Sequence, residues 1–417
     1  MTGQERVQTV LSHHEADTIA LDFGATPVTG IHVKMIAAFR RHYGLDDRPV
    51  KVAEPFQMLG EVDNELAKIW NTDVTGAGGR TDMFGHLQQD FAERRMPWGQ
   101  TVLLPQSFKT KEENGNIYAF PQGDTTCSPT AVMPAGGYFF DAIERTQATE
   151  MDAELNIEDN LEEFTLITDA DIPYWKEKLT KARATGKAVI ANIGGTGFGD
   201  IALVPGLSLK NPKGIRAITD WYMSTVMRTD FIQEIFERQS DIALQNLEKI
   251  NQIAGDCIDV LYVCGTDLGT QDSQFCSADD LSSLYGKAYR KINDWVHRHT
   301  GWKTFKHCCG AIVPLLDTLI DCGFDIINPV QINAAGMDPR FLKKEFGDRI
   351  TFWGGGVDTQ RVLQRGTPQE VKDQVHQLCD IFGAGGGFVF NTIHNLQANV
   401  PMENAIALMD AICEIRK

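Results

Sequence analysis

The sequence predicts a closed parallel barrel of eight β/α units, a (β/α)8 or TIM barrel. Two observations predict it. Short β-branched or apolar runs alternate with amphipathic helical stretches through most of the 417 residues, which is the pattern of βα units on a parallel sheet. In addition, no Gly-x-Gly-x-x-Gly follows an early strand. That removes the main support for an open doubly wound sheet with a dinucleotide site.

Taken in order, the expected strands are Thr18–Phe23, Asp73–Gly76, Ala188–Ile193, Val260–Cys264, Thr304–His307, Asp325–Asn328, Ile350–Trp353 and Gly387–Phe390. Helices are expected between the later ones, at Ile312–Cys322, Arg340–Phe346 and Pro368–Phe382. The last starts Thr367-Pro368-Gln369-Glu370, with Thr at N-cap, Pro at N1 and Glu at N3, a capping-box start. The reading is one barrel domain over residues 1–417, with an N-terminal helical extension and an insertion at Trp98–Asp171. The insertion breaks the βα rhythm with TVLLPQSF and NIYAFPQGD, a hairpin around Glu113-Asn114-Gly115, the Pro/Gly-rich MPAGGYFFDAI and the acidic MDAELNIEDNLEEF. It would lie over the barrel mouth or supply an edge for association into a homodimer.

Composition excludes several function classes. With 39 Lys+Arg against 56 Asp+Glu the net charge is −17, which argues against a duplex nucleic-acid binder relying on cationic phosphate contacts. It argues equally against docking on an anionic membrane. No apolar run approaches the roughly 20 residues of a membrane span. The N-terminal MTGQERVQTVLSHHEAD lacks the apolar core of a secretory signal. Nine scattered cysteines fit reduced thiols or metal ligands rather than a disulfide framework. The expected location is the cytoplasm.

In such a barrel, residues just beyond the C-terminal ends of the strands face one pocket. Five successive units deliver polar groups to that rim: Asp267 and Gln271 after the fourth expected strand, His307-Cys308-Cys309-Gly310 after the fifth, Gln331 after the sixth, Asp358 after the seventh and His394 after the eighth. Alternation along an extended strand end puts His307 and Cys309 on one side and Cys308 on the other. An imidazole and a thiolate aimed at one point suit tetrahedral Zn²⁺. Two ligands need a third, for which His394 comes first, with Asp267 or Asp358 behind it. The competing reading of His307 and Cys309 is ordinary barrel-interior packing, since both residue types are common in cores. His394 is open between ligand, catalytic group and structural residue. The triple glycines Gly354–Gly356 and Gly385–Gly387 read as tight backbone approach at the rim rather than a phosphate cradle.

From about Val260 onward the sequence resembles the uroporphyrinogen decarboxylase superfamily. The segments that carry the resemblance are GTDLGTQ, HCCGAIVPLLDTLIDCGFDIINPVQ, GGGVDTQ followed by GTPQEV, and FNTIHN ahead of Pro401-Met402-Glu403-Asn404. Within that superfamily the decarboxylases carry an arginine-rich N-terminal run that grips tetrapyrrole carboxylates. The comparable region here reads LDFGATPVTGIH, without one. The zinc methyltransferase branch, which serves corrinoid proteins, carries His-x-Cys-Gly after a barrel strand, and this chain has it at His307–Gly310. In that branch the third ligand is usually a late cysteine, whose position falls here at His394; the decarboxylases carry a histidine near that place.

The resemblance therefore implies a cytoplasmic methyltransferase moving a methyl group between a small methylated substrate (a methyl ether, a methylamine or similar) and the cobalt of a corrinoid carried by a partner protein. Zinc would act as Lewis acid on His307, Cys309 and His394. His394 and Asp267 would be catalytic, and Gln331, Asp358 and Gln271 would bind substrate. Two other classes stay in view: a metal-free decarboxylase of a small acid, with His394 and Asp267 as acid/base pair, and a non-catalytic barrel serving as a binding module.

Overall fold

The computed structural model describes residues 1–147 and 154–417. It is a (β/α)8 barrel. The eight parallel strands are β1 (Ala20–Leu21), β2 (Val74–Gly78), β3 (Ala188–Asn192), β4 (Val260–Cys264), β5 (Lys303–His307), β6 (Ile326–Asn328), β7 (Thr351–Trp353) and β8 (Phe388–Phe390). They follow in sequence order around the sheet, and β1 pairs with β8 through Ala20–Val389 and Leu21–Phe390. Every strand expected from the sequence is present, with ends that differ by two residues at most.

The seam between β1 and β2 is held differently. The Asp73 amide donates to the Leu21 carbonyl at 2.8 Å, and the Asp73 carboxylate accepts the Leu21 amide at 2.8 Å. Two arginines from opposite ends of the chain, Arg6 and Arg416, donate to the same carboxylate. Asp73 and both guanidiniums are almost fully buried, so the charges are removed from water together with their partners. The adjoining N-terminal helix Gly3–Leu11 buries Val7, Val10 and Leu11 against the barrel interior. It forms the floor of the barrel.

Inward-facing residues at and above this floor are apolar: Ala20, Val74, Ala188, Ile190, Val260, Phe305, Ile326, Trp353 and Val389 pack as one cluster. Alternation then puts His307 on the same side of β5 as Phe305, and Asn328 on the same side of β6 as Ile326, one step nearer the mouth. The barrel thus changes from hydrocarbon to polar groups within one layer.

The expected helices lie at Val313–Asp321, Pro339–Phe346 and Pro368–Gly383. Pro368–Gly383 starts on the expected capping box: Glu370 amide to Thr367 hydroxyl oxygen, Thr367 amide to Glu370 carboxylate. Helix Thr229–Ala254 returns the chain from the long β3 loop towards β4.

Two small sheets stand outside the barrel. One joins strands Ile31–His32, Leu59–Gly60, Val50–Glu54, Thr101–Pro105 and Phe91–Arg95; the other joins Asp141–Ala142, Ala131–Met133, Asn116–Ala119 and Thr110–Glu113. Asn114 and Gly115 form the hairpin turn, with successive φ of 52° and 81°, as a two-residue type I′ loop requires. The departure from βα rhythm starts before Trp98, because Phe91–Arg95 already pairs with Thr101–Pro105. That strand reads Phe-Ala-Glu-Arg-Arg, with no apolar alternation to reveal it. The first residues of the acidic run Met151–Phe164 lie outside the described residues; beyond them, Glu163 pairs with buried Arg216 at 2.6 Å.

Candidate metal centre at the barrel mouth

His307 closes β5, and its ring is fixed from behind. The Asn328 amide nitrogen donates to the Trp353 carbonyl at 2.8 Å, which turns the Asn328 oxygen to His307 Nδ1, 2.7 Å away. Nδ1 therefore carries the ring proton, and Nε2 keeps a free lone pair. Burial holds the imidazole below its ordinary pKa, so it is neutral at pH 7. Asn328 was not among the residues expected at the site. Its signal was available: it ends a strand in phase with Ile326, beside a residue already suspected.

Cys309 follows on the same side. Its Sγ lies 3.5 Å from His307 Nε2. Zn–N of 2.0–2.1 Å and Zn–S of 2.3 Å at a tetrahedral angle separate N from S by about 3.6 Å, so the pair is already spaced as two ligands of one ion. Burial, reinforced by the nearby Asp267 carboxylate, pushes the thiol well above its usual range; a metal must displace that proton to bind. Cys308 points away. It is fully buried, it accepts the Leu268 amide at 3.2 Å, and burial pushes its thiol up to about 12.

His394 comes from the loop after β8. Its ring stands edge-on to His307 at 5.1 Å between centroids. One ligand atom each from His307, Cys309 and His394 lies within 4.8 Å of the others. Its Nδ1 accepts the Asn395 amide at 2.8 Å, which leaves the ring proton on Nε2. Burial, then the neighbouring His307, holds its pKa down to about 3. In this tautomer His394 is a hydrogen-bond donor, and it becomes a neutral ligand through Nε2 only if the proton moves to Nδ1 and the Asn395 contact is released.

The remaining expected residues fall into two groups. Asp267 is at the site: Oδ1 accepts the Cys309 amide at 2.7 Å and lies 3.8 Å from His307 Nε2. Gln331, Gln271 and Asp358 are committed to the loops. Gln331 Oε1 accepts the Gly310 amide at 2.8 Å and its Nε2 donates to Gln271 Oε1 at 3.0 Å. Gln271 in turn donates to the Asn333 carbonyl. Asp358 Oδ1 accepts from Asn333 Nδ2 and from the Gln360 and Arg361 amides. These contacts brace Cys309 from outside the ring of ligand atoms.

Gly310 shows how tight the brace is. At φ 96° a Cβ there would lie 2.4 Å from the Gly269 carbonyl carbon. At Gly356 it would lie 2.2 Å from the Phe390 ring, the close backbone approach expected for that glycine run.

Sequence reasoning missed four further groups around the mouth. Asp200, in the loop after β3, is deeply set, and burial raises its carboxyl. Tyr262 on β4 and Tyr222 on helix Ile218–Met227 stand nearby; the Tyr222 hydroxyl is buried with no partner. Lys306, on the outer side of β5, is fully buried and donates to the carbonyls of Thr266 and His307. The β3 loop reads GGTGFGD, and its glycines offered no motif that singles out the aspartate.

Known proteins resemble the chain in part of its sequence and in its fold. Residues 213–415 match the family described as Uroporphyrinogen decarboxylase (URO-D). The uroporphyrinogen decarboxylase of Psychromonas ingrahamii is 30% identical over 100 residues, 24% of this chain and 26% of that protein. That of Pseudoalteromonas translucida is 32% identical over 72 residues, 17% of this chain and 20% of that protein. The matched segments thus span about a quarter and a fifth of those relatives. A methyltransferase from Methanosarcina mazei superposes over 99% of both chains, with a TM-score of 0.54 at 14% identity, a likeness of fold.

Proposed function

We propose that the chain is a zinc-dependent methyltransferase of the uroporphyrinogen decarboxylase superfamily, whose family model its residues 213–415 match. It would move a methyl group between a small methylated substrate and the cobalt of a corrinoid held by a partner protein. The observation that carries the reading is the His307–Cys309–His394 group. It combines a lone pair already oriented, a thiol at ligand spacing and a third ring within reach.

His307 and Cys309 would hold the ion through Nε2 and Sγ. When bound, zinc supplies Lewis-acid stabilisation of charge developing on the heteroatom that loses or gains the methyl. Asn328 keeps the His307 lone pair on Nε2. Asp267 anchors the Cys309 amide and so fixes the thiolate, while Gln331 and Gln271 hold the loop behind it. His394 is either the third ligand or, in the tautomer its Asn395 contact favours, the N–H that donates to the departing heteroatom. The corrinoid protein would dock at the mouth, with His394 and Asp267 facing the exchange.

Zinc analysis of anaerobically purified protein tests this. One zinc per chain is expected, lost together with turnover in Cys309→Ser and retained in Cys308→Ser. In His394→Ala, lost zinc marks a ligand, and retained zinc with lost turnover marks a donor. Absence of zinc from wild type would sink the reading. It would favour the metal-free decarboxylase instead, with His394 and Asp267 as acid and base.

A further inference from the structure

The polar groups beside the candidate metal centre carry an excess of negative charge. Asp200 Oδ1 is occupied by the Ala202 amide at 3.0 Å, but Oδ2 receives no hydrogen bond from any described residue. It crowds Gly265 together with the Tyr262 hydroxyl: a Cβ on that glycine would lie 2.6 Å from Asp200 Oδ2 and 2.7 Å from the Tyr262 oxygen. Gly265 therefore leaves room for both groups, directly ahead of Asp267. The Tyr222 phenol feels both Asp267 and Asp200, and its hydroxyl is buried without a partner. Phe275 stacks on Tyr222 at 5.0 Å.

The cation that acts on these groups is Lys306, and its Nζ is spent on two backbone carbonyls behind β5. It offsets one of the two carboxylates from the far side of the strand. No described arginine or lysine bonds to Asp200 or Asp267. A carboxylate with one oxygen unclaimed beside a tyrosine hydroxyl can receive a cation through a charge-assisted hydrogen bond. It is an unfavourable neighbour for an anionic substrate, whose carboxylate would require an arginine fork.

We propose that Asp200 is a specificity-determining residue that receives an ammonium group, so that the substrate bears a positive nitrogen beside the oxygen or sulfur whose methyl is exchanged. The Tyr262 hydroxyl meets the same space above Gly265 as Asp200 Oδ2. This deepens the methyltransferase reading and rests on it for the reacting atom, while the charge preference is measurable by binding alone.

The probe is a matched pair: choline, and 3,3-dimethylbutan-1-ol, which has the same shape and hydroxyl but no charge. Calorimetric titration of the zinc-loaded protein is expected to show choline binding tighter by about ten-fold or more, about 1.4 kcal/mol. Asp200→Asn is expected to erase that difference with zinc content and melting temperature unchanged. Asp200→Glu should restore most of it, and Asp272→Asn on the exposed rim should leave it intact. Equal binding of the two alcohols, failure of choline to bind, a preference for propionate, or a choline preference that survives Asp200→Asn would each overturn the proposal. Zinc content of the same samples separates the outcomes. Zinc present without charge preference defeats this inference alone; zinc absent defeats the metal reading.

Discussion

The two ends of the barrel treat buried charge in opposite ways. At the floor, the Asp73 carboxylate meets the Arg6 and Arg416 guanidiniums and the Leu21 amide, with both oxygens used. At the mouth, Asp200 keeps an oxygen without a donor, the Tyr222 hydroxyl has no partner, and Lys306 rests on carbonyls instead of a carboxylate. The Asp73 carboxylate is closed off from water, whereas the carboxylates at the mouth are partly exposed. Completed pairing is what structure alone requires, because an uncompensated buried charge is strongly destabilising. Incomplete pairing persists where something else is to complete it.

The largest expected effect breaks the floor. Asp73→Ala leaves the Arg416 guanidinium buried without an anion and Arg6 with Asp17 alone, and is expected to cost about 3–5 kcal/mol of unfolding free energy, read from urea denaturation of metal-free protein. His307→Ala at the mouth should cost much less by the same measure while abolishing zinc. If the two substitutions cost the same, the contrast between floor and mouth has no energetic content.

Next in size is Asn328→Ala, which frees the His307 ring from its oriented tautomer. Loss of a residue that orients a metal-binding histidine typically lowers affinity by about 10–100-fold. Chelator competition is expected to show a fall in that range with little change in the unfolding midpoint. Unchanged zinc affinity would mean that the Asn328 contact is packing.

The third effect separates the two ends by pH. His394 takes its proton near 3 when folded and near 6.5 when unfolded. Between those values the unfolded chain binds the extra proton, so acidification removes stability by up to about 1.4 kcal/mol per pH unit. The Arg6 guanidinium holds Asp17, at the floor, below its ordinary 3.8, so its contribution is lost only below that pH. In metal-free protein, His394→Asn should flatten the stability profile between pH 6 and about 4, where Asp17→Asn leaves the slope unchanged. A wild-type slope in His394→Asn would show that the ring is already protonated near neutrality.

The sequence was most legible where a period or a cap carried the information. All eight strands show through as short β-branched or apolar runs, and Thr367–Glu370 announces its helix. His307 and Cys309 emerge from strand phase alone. What stayed hidden depends on contacts distant in sequence. The seam ties Arg6, Asp73 and Arg416 across most of the chain. Phe91–Arg95 is a strand only because Thr101–Pro105 pairs with it. Gln331, Gln271 and Asp358 stand at strand ends as a substrate-binding residue would, yet their polar atoms turn back to the loops; only distances distinguish these roles. Asp200 lies in a loop with no periodicity at all, and its significance comes from neighbours on β4 and on helix Ile218–Met227.

The seam also has a consequence for how the molecule comes into being. Arg416 follows Asp73 by 343 residues, and β8, the strand that pairs with β1, is also made late. At 5–20 residues per second a ribosome needs on the order of half a minute to cover that distance. Throughout it β1 has no β8 to lie against, and Asp73 has only one of its two arginines. Closure is therefore an event of late synthesis, and the nascent chain must carry an open strand edge until it arrives.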